Sequence, residues 1–216
     1  MLENSVVENQ NLHSLTAIDY LIVTQDFLVN QAQRLADYHT KNSGLITKVV
    51  RLDQIYNEFS SGSPDVTAIR DFVKHFYDNS TTNQIKYVCL FGDASYDYKD
   101  RIEGNNNIVP VFEAYNSFNL ASSYVTDDFY GMMDANEGLL NSFERQDVAT
   151  GRIPVSDVLQ AKQVVDKILD YYSKEAFGDW RTNITLIADD IDRAGEEVLQ
   201  LNMEKIAKSI VANKPA

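Results

Sequence analysis

Four carboxylates stand where they could act together: Asp93 after the apolar run YVCLF, Asp134 and Glu137 after the Tyr130-Gly131 turn, and Asp147 just before the segment VATGRIPV. Carboxylates drawn from separate loops are hard oxygen donors, and they suit the six to eight flexible contacts of calcium better than the tetrahedron of zinc. In a strongly acidic chain the same residues also read as solvated acids and turn caps. Asp127 and Asp128, beside Tyr124, Phe129 and Tyr130, read as a pair that stabilises a turn. Asp189 and Asp190 follow the apolar run NITLIA. Acids at strand ends of α/β sheets serve sites, and they equally cap the helix that follows. The nucleophiles are less well placed. Cys89 is flanked by Val88, Leu90 and Phe91, which is the setting of a buried small hydrophobe. His39 and His75 fall on expected helices and His13 in a polar lead-in, away from any strand's carboxyl end.

The elements that must position these residues follow from periodicity. Residues 17–24 (AIDYLIVT) read as a strand. Asp26 is placed to cap a helix over 27–41, where Leu28, Ala32, Leu35 and Tyr38 recur three or four apart, and Gly44 stands where it ends. Residues 45–52 form a second strand, Asp53 begins a short helix, and Ser63-Pro64-Asp65 opens a longer one with Val66, Ile69, Phe72, Val73 and Phe76 on one face. Residues 87–91 are the third strand, apolar at nearly every position and so buried on both faces. The order β-α-β-α-β specifies an α/β fold with a parallel sheet and right-handed crossovers.

Residues 93–146 are rich in Asn, Asp, Ser and Tyr, with only short strand-like pieces such as 108–112, and an irregular stretch of that length is usually functional. Residues 148–155 read as a return strand with Gly151 at a close approach, and Ser156 as the cap of a helix to about 173. A fresh unit then begins: strand 183–188, Asp189-Asp190, and a helix from about 196 to 212. One strand and one helix cannot enclose a core, so the chain is expected to hold a polar lead-in (1–16), a first α/β subdomain (17–155), a connecting helix (156–178) and the start of a second subdomain (179–216).

Composition narrows the function classes. The formal net charge of −13, without a basic cluster, repels nucleic-acid backbones and anionic lipid. The single cysteine rules out an internal disulfide or a thiolate metal cage. No apolar run approaches the roughly 18 residues of a membrane span, and the opening MLENSVVENQ lacks the regions of a secretory signal.

Four segments, VCLFGDASYDYKDR, SSYVTDDFYGMMDANEG, DVATGRIPVSDVLQAKQVVDKILDYY and WRTNITLIADD, resemble in order and spacing the first half of the gingipain-like cysteine peptidase domain, and most of all the sortases of the type IX secretion system. The resemblance implies a caspase-like architecture of two side-by-side α/β subdomains, the first present and the second only begun. It implies a cell-surface cysteine endopeptidase of the bacterial outer membrane that removes carboxyl-terminal sorting domains from exported proteins, alongside other type IX secretion components. It also implies a catalytic His and Cys on later strands that this chain does not contain, and an inactive chain when isolated. In that family a structural calcium is bound at positions matching Asp93, Asp134, Glu137 and Asp147, and the acid that orients the catalytic His falls on Asp189 or Asp190. The alternative is a non-catalytic α/β binding module of flavodoxin-like topology. Its phosphate-binding versions are disfavoured, because neither GxGxxG nor GxxxxGK[ST] occurs. A phospho-receiver is disfavoured too, because the first strand ends Val23-Thr24-Gln25 without an acidic pair.

Overall fold

The computed structural model describes residues 9–80, 85–99, 101–114, 118–119, 122–140 and 143–212. Residues 1–8 of the lead-in and 213–216 of the expected second unit lie outside them. Four parallel strands form the main sheet: β1 (Tyr20–Thr24), β2 (Thr47–Arg51), β3 (Tyr87–Phe91) and β6 (Ala149–Ile153), in the order β2-β1-β3-β6. A two-stranded antiparallel ribbon, β4 (Phe112–Glu113) with β5 (Val125–Thr126), stands apart from it. The helices are α1 (Val29–Ser43), α2 (Leu52–Phe59), α3 (Val66–Asn79), α4 (Val158–Tyr171) and α5 (Glu197–Ala212).

The two central strands are buried on both faces, as their continuous apolar runs require: Leu21, Ile22 and Val23 on β1, Val88, Cys89, Leu90 and Phe91 on β3. β2 and β6 are edges, and their side chains are mostly half-buried or exposed. Right-handed crossovers put α1 on one face and α2 with α3 on the other. Packing of α1 against α4, and of α2 against α3, completes three layers, α/β/α. Helix α1 buries Ala32, Leu35 and Ala36 and stops at Gly44 (φ 68°), whose N–H donates to the His39 carbonyl. That left-handed conformation carries a steric penalty for other residues, which is why glycine ends the helix. Helix α3 is capped by Asp65, whose carboxylate accepts from the Thr67 amide at 2.8 Å, and it buries Ala68, Ile69, Phe72, Val73 and Phe76.

At the amino-terminal edge of the sheet Asp19 ties three strands together. Its carboxylate accepts from the Ile46 amide (2.9 Å) and from Lys86 Nζ (2.8 Å), and its carbonyl accepts from the Lys86 and Tyr87 amides. The Lys86 ammonium and the Ile46 amide hold its carboxyl below the usual range, against the opposing push of burial.

Several expectations are corrected. Asp26 does not cap α1: a 3-10 turn, Asp26–Leu28, precedes the helix, and the Asp26 carboxylate meets Arg51 instead. Asp157, not Ser156, caps α4, accepting from the Gln160 amide at 2.8 Å. Residues 108–111 are not a strand, because the Ile108 and Val109 amides both donate to the Asp93 carbonyl and fold the segment against β3. Gly151 is no close approach, since a Cβ there would meet nothing within 4 Å on this edge strand.

The chain divides into two compact units, Met1–Tyr171 and Tyr172–Ala216. In the second, Arg181 lies over the Phe177 ring at 4.1 Å and over Trp180 at 5.3 Å, and α5 buries none of its side chains. Residues 183–188 form no strand and are exposed. A strand needs a neighbour for its N–H and C=O groups, and the described residues of this unit include no other strand.

Candidate functional site

Asp134, Glu137 and Asp147 converge, each offering a carboxylate oxygen within 4.8 Å of the others. The turn at Asp128–Gly131 brings them together. The Gly131 carbonyl accepts from the Asp147 (2.9 Å) and Val148 (3.1 Å) amides, and a Cβ at Gly131 would collide with the Val148 carbonyl. Asp147 Oδ2 accepts from the Met133 amide at 2.8 Å, and Glu137 accepts from the Asp134 (3.0 Å) and Arg145 (3.3 Å) amides. From α3, Arg70 donates to the Met132 and Glu137 carbonyls and Lys74 to the Met133 carbonyl, so two cations brace the loop through its backbone. The negative field reaches the Tyr77 phenol, which burial first and then Asp147 and Asp134 push up. Three hard oxygen donors at this spacing fit a calcium ion, and they lack the thiolate or imidazole that zinc prefers.

Asp93 is not part of this cluster. β3 and β6 are in register from Tyr87↔Ala149 to Phe91↔Ile153, with Asp147 before the ladder's first pair and Asp93 after its last. The ladder alone spans about 13 Å at 3.3 Å per residue, whereas two ligands of one calcium ion lie within about 5 Å. Asp93 instead accepts from the Ser156 hydroxyl (3.2 Å) and from the Ala94 amide (2.9 Å), at the carboxyl-terminal edge of the sheet.

That edge is organised by Arg152, a residue the sequence analysis leaves without a role beyond its place in the return strand. Its Nε and Nη2 form a fork on Asp127 (2.8 and 2.7 Å), Nη1 donates to the Gly92 (2.8 Å) and Val109 (2.7 Å) carbonyls, and Nη2 also reaches the Pro110 carbonyl (3.2 Å). Tyr130 donates to the same Pro110 carbonyl at 2.7 Å, and Phe129 stacks on Phe112 at 4.4 Å. Asp128 accepts from Gln146. The Asp127-Asp128 pair thus stabilises its turn, as expected. Beside it an open cleft of about 790 Å³ is lined by Asp93, Ser95, Tyr96, Tyr124, Asp127 and Arg152.

The thiol and imidazoles form no nucleophilic pair. Cys89 is buried, and burial pushes its thiol up to about 12, only partly offset by Tyr20 and the Arg152 charge. His39 shares a groove with Cys89, but Tyr20 packs edge-on against it at 5.3 Å, and burial pushes the imidazole down. Both shifts oppose a thiolate–imidazolium pair. His13 pairs with Glu58 at 2.7 Å and His75 packs against it at 5.1 Å, on the outer side of α2 and α3. Asp189 and Asp190 lie on the exposed irregular segment before α5; Asp189 Oδ1 accepts from the Asp190 amide (3.0 Å), and the turn entering α5 is held by Glu196 and Glu197 instead.

No curated protein sequence matches the chain. Its fold is similar to the crystal structure of dimeric latent PorU from Porphyromonas gingivalis, with TM-score 0.70 and 35% identity over 85% of this chain and 18% of that one. The chain therefore spans about a fifth of the length of that relative, and the likeness is consistent with a caspase- and gingipain-like α/β fold. The profile of peptidase family C25 matches residues 13–216, which include every element described above. On that match, and on a solved structure of the same fold at this identity, the chain belongs to peptidase family C25, the gingipain family of cysteine peptidases.

Proposed function

We propose that this chain is the amino-terminal portion of a surface cysteine endopeptidase that removes carboxyl-terminal sorting domains from exported proteins at the bacterial outer membrane, within a type IX secretion system. The similarity to PorU across 85% of the chain carries the reading. Here the first subdomain acts as scaffold. Its sole thiol is held protonated in the core, so the nucleophile comes from a later segment of the parent protein. Calcium at Asp134, Glu137 and Asp147 joins the two ends of the 132–147 loop, which Arg70 and Lys74 already brace against α3, and Asp189 or Asp190 orients the catalytic imidazole once the second subdomain is complete. The test is to incubate an exported cargo bearing its sorting domain with this chain and with a chain extended to the length of PorU. Cleavage by the extended chain alone, lost when its later cysteine becomes alanine, is the expected result. Cleavage by the 216-residue chain, or by neither, refutes the proposal.

A further inference from the structure

The strand order β2-β1-β3-β6 reverses direction between β1 and β3. At such a switch point the loops leaving the two strands diverge, and the crevice at their carboxyl ends is where open α/β sheets hold ligands. Here that crevice is a cleft of about 500 Å³, within the range of small-molecule sites. Gln25, next after β1, lines one side, and the 107–113 stretch, folded against the end of β3 by its bonds to the Asp93 carbonyl, lines the other. Gln25 Nε2 joins the two by donating to the Ile108 carbonyl at 3.1 Å. Tyr56, Val66, Tyr98 and Phe112 give the cleft apolar walls, and the only charged side chains among its lining residues are Asp65 and Glu113.

Phosphates are frequent ligands of such crevices, held by glycine-rich loops and helix N-termini. This cleft repels them. The amino-terminal end of α3 borders it, but the Asp65 carboxylate already occupies that end by accepting from the Thr67 amide. Glu113 is half-buried, and its Oε1 is fully buried without a hydrogen-bond partner. Burial first, and then the Asp97 charge, push its carboxyl up. A buried carboxylate oxygen without a donor is costly, and a ligand that brings an N–H and a positive charge relieves it. The aromatic walls favour the same partner, since ring faces attract cations, and Lys99 Nζ already lies over the Tyr98 ring at 5.3 Å although it is no part of the lining. We propose that this cleft binds a small organic amine, its ammonium on Glu113 and its apolar body among Tyr56, Tyr98 and Phe112. The proposal is separate from the Asp134–Glu137–Asp147 cluster and does not depend on the peptidase reading.

The experiment is titration calorimetry of the full 216-residue chain at neutral pH with three probes of one shape: phenethylamine, the neutral phenethyl alcohol and the anionic phenylacetate. The amine is expected to bind at least tenfold more tightly than the alcohol, and phenylacetate not to bind. Glu113→Gln keeps the shape of the side chain, and it should weaken the amine at least tenfold while leaving the alcohol unchanged. Tyr98 is 60% exposed, so Tyr98→Ala spares the core, and it should weaken amine and alcohol alike. No binding of phenethylamine at millimolar concentration overturns the proposal, as does equal affinity for amine and alcohol or unchanged amine affinity in Glu113→Gln. Tighter binding of Nα-acetyl-lysine amide than of phenethylamine would assign the cleft to a polypeptide side chain and overturn it as well.

Discussion

Arg152 gives the sharpest quantitative expectation. Replacing it with methionine keeps the length and apolar stem of the side chain but removes a fork on Asp127 and three bonds to the Gly92, Val109 and Pro110 carbonyls. The Arg152 side chain is 13% exposed and that of Asp127 21%, so neither partner regains full hydration. Breaking a buried pair from one side costs about 3–5 kcal/mol, because the other charge is left uncompensated. At about 2–4 °C per kcal/mol for a domain of this size, calorimetry of Arg152→Met should show the first unit melting about 6–20 °C lower. Arg152→Lys should fall between the two, since an ammonium restores charge but not the planar fork. In a double-mutant cycle with Asp127→Asn, the two losses should couple by about 1–3 kcal/mol. A shift below about 2 °C for Arg152→Met, or strict additivity with Asp127→Asn, would refute the idea that this guanidinium ties the sheet edge to its loops.

Asp19→Asn should lower stability at neutral pH by about 1–2 kcal/mol through loss of the charged bonds to Lys86 and Ile46. The folded-state carboxyl lies below its unfolded value of about 3.9, so the contribution is complete above that pH and disappears as pH falls through the folded value. Urea melts of wild type and mutant should therefore differ at pH 7 and converge as pH falls through the lowered folded-state value; a constant gap contradicts the assignment. Cys89 should resist iodoacetamide at pH 8 in the native state and react on unfolding in urea, because its thiol is raised to about 12; rapid native labelling would show an accessible thiolate. In the complete parent protein, either Asp189→Asn or Asp190→Asn should lower turnover by up to about 10⁴-fold while the melting temperature barely moves; wild-type turnover in both would end that role.

How far the sequence could be read depended on whether a signal was local. β3 is legible from YVCLF because a strand buried on both faces has no polar positions to confuse it, and Gly44 marks the end of α1 because a left-handed cap favours one residue. Residues 183–188 mislead for the converse reason. Their apolar content resembles that of a strand, but pairing is a property of neighbours, and the described residues of that unit supply none. Asp134, Glu137 and Asp147 are brought together by the Gly131 turn, within reach of sequence spacing. Asp93 is separated from them by strand register, which no motif states. Arg152 is visible only as an arginine in an apolar strand, since its partners come from three separate stretches of chain. The unpaired oxygen of Glu113 carries no sequence signal, because satisfaction is a three-dimensional count.

The connection from β3 to β6 runs through residues 92–148 with no α-helix in its described part, yet it returns to pair in parallel with the strand it left. Closing so long a loop yields no reward until the ladder forms, and the entropic cost rises by only about 0.6 kcal/mol for each doubling of length, so the delay is kinetic more than thermodynamic. β1, β2 and β3 can assemble through shorter helical crossovers beforehand. The β6 edge is then the last strand to join the sheet and the first to leave it, and its amides should exchange with deuterium ahead of those on β1. Any ion that rigidifies the 92–148 segment shortens the effective loop and moves β6 earlier in the order of assembly.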